Sequence, residues 1–307
     1  MLDGTIATTV PLGLLPEDPD AGVAWLPGPG LVVHEWGTFT SVQSSDGGML
    51  EGLHHEEHAL PSFVYGRASS AEYFECPPTK CMEMHPEGVT QKLETPVLYF
   101  YSQEPVEVSV DVSFPNGILS EWYPDVVSYA PELYDWDIVA DGEMSWTVDV
   151  VPGPVDVIPV PEEDIWAPSR RVASTPVFAG GEAERFIFYR GLGDFTLPFV
   201  VESLEGGGLR IRNDSEDTIP AVFVHYVDPE AGEGMIASVG PLPPLSELVI
   251  EDPTFVPGPK EEPLPVDELV PFASDLVAAE LVASGLFADE ARAMVDTWST
   301  SYFGSEG

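Results

Sequence analysis

The sequence predicts a mainly β protein: one or two antiparallel β-sandwich units with a C-terminal helical hairpin. Three observations carry this expectation. Short runs rich in β-branched and aromatic residues recur at a spacing of roughly ten to fifteen residues, with no helical pattern between them, which suits antiparallel pairing and argues against βαβ units. The 32 prolines and 28 glycines punctuate the chain too often for long helices. Only from Val266 onward does the pattern turn Ala- and Leu-rich with helical spacing.

In chain order, residues 1–30 hold five prolines and the acidic Glu17-Asp18-Pro19-Asp20 run, and read as an arm or linker. Residues 31–42 read as the first strand, closed by the turn Ser44-Ser45-Asp46-Gly47-Gly48. Val97, Tyr99 and Tyr101 alternate with Leu98, Phe100 and Ser102, and Val106, Val108, Val110 and Val112 alternate with Glu107, Ser109, Asp111 and Ser113, the period of a half-buried strand. Asn116-Gly117 is a turn signal. Further strands are expected over 144–151, 184–190, 195–203, 208–212, 217–227, 234–239 and 246–251. The proline-dense stretch 152–161 reads as a seam between two β units or a long surface crossover. Helices are expected over 267–284 and from about Asp289 to Tyr302, separated by Gly285, with Asp289 and Glu290 placed to suit the helix dipole. The expected organisation is therefore an arm over 1–30, a β-sandwich body over 31–260 and a helical hairpin over 261–307.

With 53 acidic against 11 basic residues, the formal net charge is −42. This excludes a phosphate-tracking nucleic-acid interface, which needs a basic stripe, and disfavours anionic membrane surfaces. No run of 18 apolar residues is present, so membrane insertion is not expected. Such a surface is best tolerated where salt or divalent cations screen it. An extracellular or periplasmic setting meets that condition, as does the cytoplasm of a halophile. The chain opens without a basic, then apolar, leader, so export is read here for a mature form.

Cys76 and Cys81 are the only cysteines, four residues apart in a proline-containing loop. A disulfide in an oxidising compartment is the leading reading. Zinc is an alternative, because His85 completes Cys-x4-Cys-x3-His, and free thiols are a third.

Five of the six histidines fall between His34 and His85. Neutral imidazoles with a carboxylate could bind Zn²⁺ or Cu²⁺ and activate water, with His34, His54 and His58 as ligands and Glu35 or Glu57 as general base. Strand alternation places His34 and Glu35 on opposite faces, so His34 with His54 and His58 is the more coherent grouping. The competing reading makes His54, His55 and His58 solvated loop residues and His34 a core histidine. Trp122, Trp136 and Trp166 are candidates for stacking an extracellular glycan, against core packing as the ordinary explanation. Asp135, Asp137 and Asp141 offer clustered oxygens for Ca²⁺ but lack the EF-hand spacing.

The segments His34-Glu35-Trp36-Gly37-Thr38-Phe39-Thr40, Leu93-Glu94-Thr95-Pro96-Val97-Leu98-Tyr99-Phe100, Phe188-Tyr189-Arg190-Gly191 and Met294-Val295-Asp296-Thr297-Trp298 resemble a family of uncharacterised exported bacterial proteins. The resemblance implies one shared architecture and export. It carries no established activity and no catalytic residue. Two functions follow: an exported acidic binding or structural module, with a glycan or another envelope protein as partner, or a metal-dependent hydrolase acting on an extracellular polymer.

Overall fold

The computed structural model describes residues 30–52, 59–67, 88–132, 140–205, 207–228, 230–251 and 262–304. The chain divides into two compact units, one of Met1–Thr40 with Glu51–Phe195, the other of Ser41–Leu50 with Thr196–Gly307. The division thus falls after Phe195, and residues 152–161, read above as a seam or a crossover, lie inside the first unit.

The first unit is a sandwich of two antiparallel sheets. One has the order β1 (Leu31–Thr40), β3 (Gln91–Ser102), β10 (Ile187–Gly193), β5 (Gly117–Tyr123) and β2 (Tyr65–Gly66). The other runs β4 (Val106–Phe114), β7 (Gly142–Val150), β8 (Val177–Ala179) and β9 (Glu182–Glu184), with β6 (Ser128–Ala130) also paired to β7. The alternation legible in the sequence fixes what faces inward. Val108, Val110 and Phe114 of β4 and Met144, Trp146, Val148 and Val150 of β7 meet Leu93, Leu98 and Phe100 of β3, Leu119 and Trp122 of β5, and Ile187 and Tyr189 of β10. Between β4 and β5 the Asn116-Gly117 signal forms the reversal it predicts, with Asn116 at φ 55°. Gly117 is required there, since a Cβ would sit 2.6 Å from the Phe114 ring and 2.9 Å from the Leu192 carbonyl.

The strand expected over 184–190 covers the first part of β10, whereas β5 has no counterpart among the expected strands. Both are buried on both faces along nearly their whole length, so neither shows alternation. The outer face of their sheet is covered by the segment carrying the short helix α1 (Ala167–Arg170). Trp166 fills that layer, with ring centroids 4.8 Å from Phe188, 5.1 Å from Phe186, 5.5 Å from Phe63 and 6.2 Å from Tyr123.

The second unit pairs two three-stranded antiparallel sheets. These are β11 (Phe199–Ser203), β12 (Leu209–Asn213) and β15 (Ser246–Ile250), and β13 (Ile219–Asp228), β14 (Glu233–Leu242) and β16 (Leu264–Pro265). Ile211, Val222, Ala237, Leu242 and Ile250 form the core between them. Residues 41–50 join this unit through Gln43, whose side chain donates to the Phe199 carbonyl and accepts from the Val201 amide. The far face of the β13–β14 sheet is buried under α2 (Val266–Ala283) and α3 (Ala288–Phe303). There Phe223, Val227 and Ile236 meet Leu269, Phe272, Ala273, Leu276 and Val277. The expected helical pair is therefore present, its acidic first turns (Asp267 and Glu268; Asp289 and Glu290) aligned with the helix dipoles.

The close approach of α2 to this sheet depends on Gly234, where a Cβ would lie 2.4 Å from the Tyr226 carbonyl and 2.7 Å from Leu269. Gly234→Ala is expected to cost about 1–3 kcal/mol by overpacking, read as a lowered urea midpoint. Gly232→Ala has open space but a left-handed backbone at φ +67°, so its cost should be confined to about 1–2 kcal/mol of conformational strain.

Candidate functional site

β1, β3 and β10 are adjacent strands, so the first three sequence motifs come together on one sheet. His34 and Glu35 do fall on opposite faces. His34 is half-buried on the outer face, its ring edge-on to Tyr101 at 5.7 Å. Trp36 shares that face and packs against Tyr99. Glu35 lies on the sandwich side, where the buried Tyr189 hydroxyl donates to its Oε1. Burial first, and then the Glu35 charge, push the Tyr189 phenol well above its ordinary range. As a base, Glu35 is thus already engaged by a proton that its donor holds tightly.

Past Trp36 the three strands bulge together, with register shifts between Trp36 and Thr38, Phe188 and Gly191, and Arg190 and Gly191. Bulges re-aim side chains. Here Lys92 Nζ lies 2.8 Å from Glu94 Oε1, and both side chains are only 7% exposed. Thr40 Oγ1 donates to Glu94 Oε2 at 2.8 Å and Thr38 Oγ1 to the Glu94 carbonyl at 3.2 Å. Arg190 is 2% exposed and stands opposite Glu121 on β5. A buried polar stripe therefore crosses four strands. Within it Lys92 and Glu94 neutralise each other, and the two threonines tie Glu94 to β1 across the bulge. The sequence signal for it was a charge inside an apolar strand, Lys92 and Glu94 in β3 and Arg190 in β10.

A second buried ionic group lies under Trp166. The Glu184 side chain is wholly buried and accepts from Trp166 Nε1 at 3.1 Å, from the Arg185 amide at 2.9 Å and from two nitrogens of Arg170. Arg170 also donates to the Ile158 carbonyl, tying down the proline-rich segment. Beside it, burial and the Glu182 and Glu184 charges push the Tyr123 phenol up to about 12, against the opposing pull of Arg170. Tyr65 donates to Glu182 at 2.8 Å and is raised too, mainly by burial. The proline-rich segment and α1 line an open cleft of about 430 Å³, with Pro159, Val160, Pro161 and Glu162 on one side and Ala167, Arg170 and Arg171 on the other.

Of the remaining expected site residues, Trp122 and Trp166 are each 3% exposed. The glycan-stacking expectation is corrected for both, because their faces are occupied by protein rings, Tyr65 and Tyr129 at Trp122 and Phe186 and Phe188 at Trp166. His54, His58, Glu57, Cys76, Cys81 and Trp136 lie outside the described residues. Among the described residues no group of three His, Cys, Asp or Glu could hold a metal ion. No helix among them is long and apolar enough to cross a membrane. The chain matches no family model, no curated protein and no solved structure.

Two expectations follow from this chemistry. Glu184→Ala strands a buried guanidinium and should cost about 3–5 kcal/mol in chemical denaturation, whereas the double replacement Arg170→Met with Glu184→Leu should recover only the part due to the stranded charge, the Trp166 and Arg185 N–H groups remaining unpaired. For Tyr189 the folded pKa is raised, so its contribution to stability is fully present below the unfolded value of about 10 and is lost as pH rises from there through the folded value. Tyr189→Phe should flatten the fall in urea midpoint between about pH 9 and 11.

Proposed function

We propose that the chain is an exported acidic β-sandwich module that binds another envelope protein through that partner's basic surface. The observation that carries this reading is the outward face of β4 and β7. Glu107, Asp111, Glu143 and Asp149 are exposed there, interleaved with Ser109, Ser113, Ser145 and Thr147. Successive outward side chains on a strand stand about 7 Å apart and neighbouring strands about 5 Å apart, so these groups form a flat, regular grid. Glu107 is directly opposite Asp149 in the register. Like charges in that position oppose folding by a few tenths of a kcal/mol or more, so the fold bears a cost that a cationic partner would relieve.

Among the described residues, seven of the chain's own cations are engaged elsewhere. Lys92, Arg170, Arg210, Arg212 and Arg292 pair with carboxylates, and Arg67 and Arg185 donate to backbone carbonyls. Export is supported by the acid excess and by two cysteines spaced for a small disulfide.

The test compares two variants that remove equal charge. One carries Glu107→Gln, Asp111→Asn, Glu143→Gln and Asp149→Asn, and the other replaces the exposed Glu205, Glu216, Glu230 and Glu251 with Gln. Calorimetric titration with an oligolysine peptide at about 0.05 M salt, where screening is weak, should show the first variant weakened at least tenfold more than the second. Equal weakening would mean diffuse attraction to net charge and would sink the proposal.

A further inference from the structure

His225 is the one histidine outside the 34–85 cluster, and it stands where three elements of the second unit meet. On β13 it lies between Phe223 and Val227 on the helix-facing side, opposite Ile236 of β14. Its ring packs against Phe303, the last residue of α3, with centroids 6.1 Å apart. The Phe303 backbone lies close enough to favour the protonated ring, and Nε2 is buried without a partner among the described residues.

Among the described residues, the seam offers no acceptor to a second proton. Around it are Phe223, Val227, Ile236, Leu269, Phe272 and Ala273. The charged residues of the packed elements are Asp228 of β13, Glu233 of β14, Asp267, Glu268, Asp275 and Glu280 of α2, and Asp289, Glu290, Arg292 and Asp296 of α3. Of these, Arg292 pairs with Asp275 and Asp296, and Glu290 accepts from the Phe287 amide. None acts on the imidazole, whose only influences are burial and the Phe303 backbone. Burial outweighs that backbone, so the ring titrates below its usual value.

We propose that His225 is an acid-sensitive latch that holds the end of α3, and with it the helical pair, against the β13–β14 sheet. Neutral, it ties the helix terminus to the strand. Protonated, it places a charged N–H in a seam with no acceptor among the described residues, and the seam opens to hydrate it. Because the folded pKa is depressed, the latch contributes fully above the unfolded value of about 6.5, and its contribution is lost as pH falls through the folded value.

Hydrogen exchange read by mass spectrometry on the whole chain tests this, comparing about pH 7.5 with pH 5 after correction for intrinsic exchange rates. Peptides covering α2 and α3 should lose about tenfold in protection at the lower pH, and those from β11, β12 and β15 should not change. His225→Gln keeps an N–H donor but does not titrate, so it should abolish the difference. His225→Phe should abolish it as well and serves if the first variant folds poorly. Equal protection of the helices at both pH values in the parent, or an undiminished difference in the variants, would overturn the latch. So would an imidazole titration by NMR at or above the unfolded value.

Discussion

The structure depends on one constraint, the burial of a β-sheet on both faces. β5 and β10 are enclosed on both sides along almost their whole length, so the first unit needs a third layer beyond its two sheets. The chain supplies it with residues 152–172, a stretch without the hydrogen-bonding regularity of a sheet. Such a segment must be pinned by side chains. Trp166 provides apolar area, Tyr99 donates to the Ser169 carbonyl at 3.0 Å, and the Glu184–Arg170 pair reaches the Ile158 carbonyl. A buried ion pair is weak evidence for stability in itself. Here its value is placement, because Glu184 sits at the end of β9 and Arg170 on α1, so the pair fixes where the cover lands.

The same constraint explains the charge distribution. A chain with 11 basic residues and 53 acidic ones has few counter-charges to place. Lys92, Arg170 and Arg67 sit inside the first unit, where an unmatched polar group costs most. Most of the other described carboxylates face solvent, and the grid on β4 and β7 is the part of that surface the backbone orders most regularly. Two exposed carboxylates in register persist because the inward residues alternating with them, Val108, Val110, Trp146 and Val148, contribute far more by burial than the repulsion removes.

What the sequence made legible follows from where water touches the chain. β4 and β7 each have one wet face, so their alternation is plain, and the two helices are legible for the same reason, while β1 is legible from its β-branched and aromatic content. β5 has no wet face, and its composition, Gly-Ile-Leu-Ser-Glu-Trp-Tyr, carries no period. The hairpin of β8 and β9 was missed because each strand has three residues, too few to show one. The opposition of His34 and Glu35 was legible from alternation alone. The bulge that gathers Lys92, Glu94, Thr38 and Thr40 was not, because a bulge is set by the pairing of strands far apart in sequence. Trp122 and Trp166 misled as glycan platforms because indole is the residue both of exposed platforms and of cores, and only the layer above each ring decides between them.

The second unit meets the same two-sided burial differently, and the difference bears on how its cover can move. Over the β13–β14 sheet the cover is a helical pair that satisfies its own backbone hydrogen bonds, so it needs few polar anchors. Its seam is almost wholly apolar, which makes it tight at Gly234 but undirected, since apolar contact does not specify where a helix ends. The His225 ring, packed edge-on against Phe303, supplies that missing direction at a single point. An anchor made by Asn or Ser would hold equally at every pH, whereas the apolar seam accommodates the imidazole best while it is neutral. The choice of histidine in an otherwise apolar seam is therefore what makes the cover of this unit conditional, while the cover of the first unit, fastened by Arg170 and Glu184, is not.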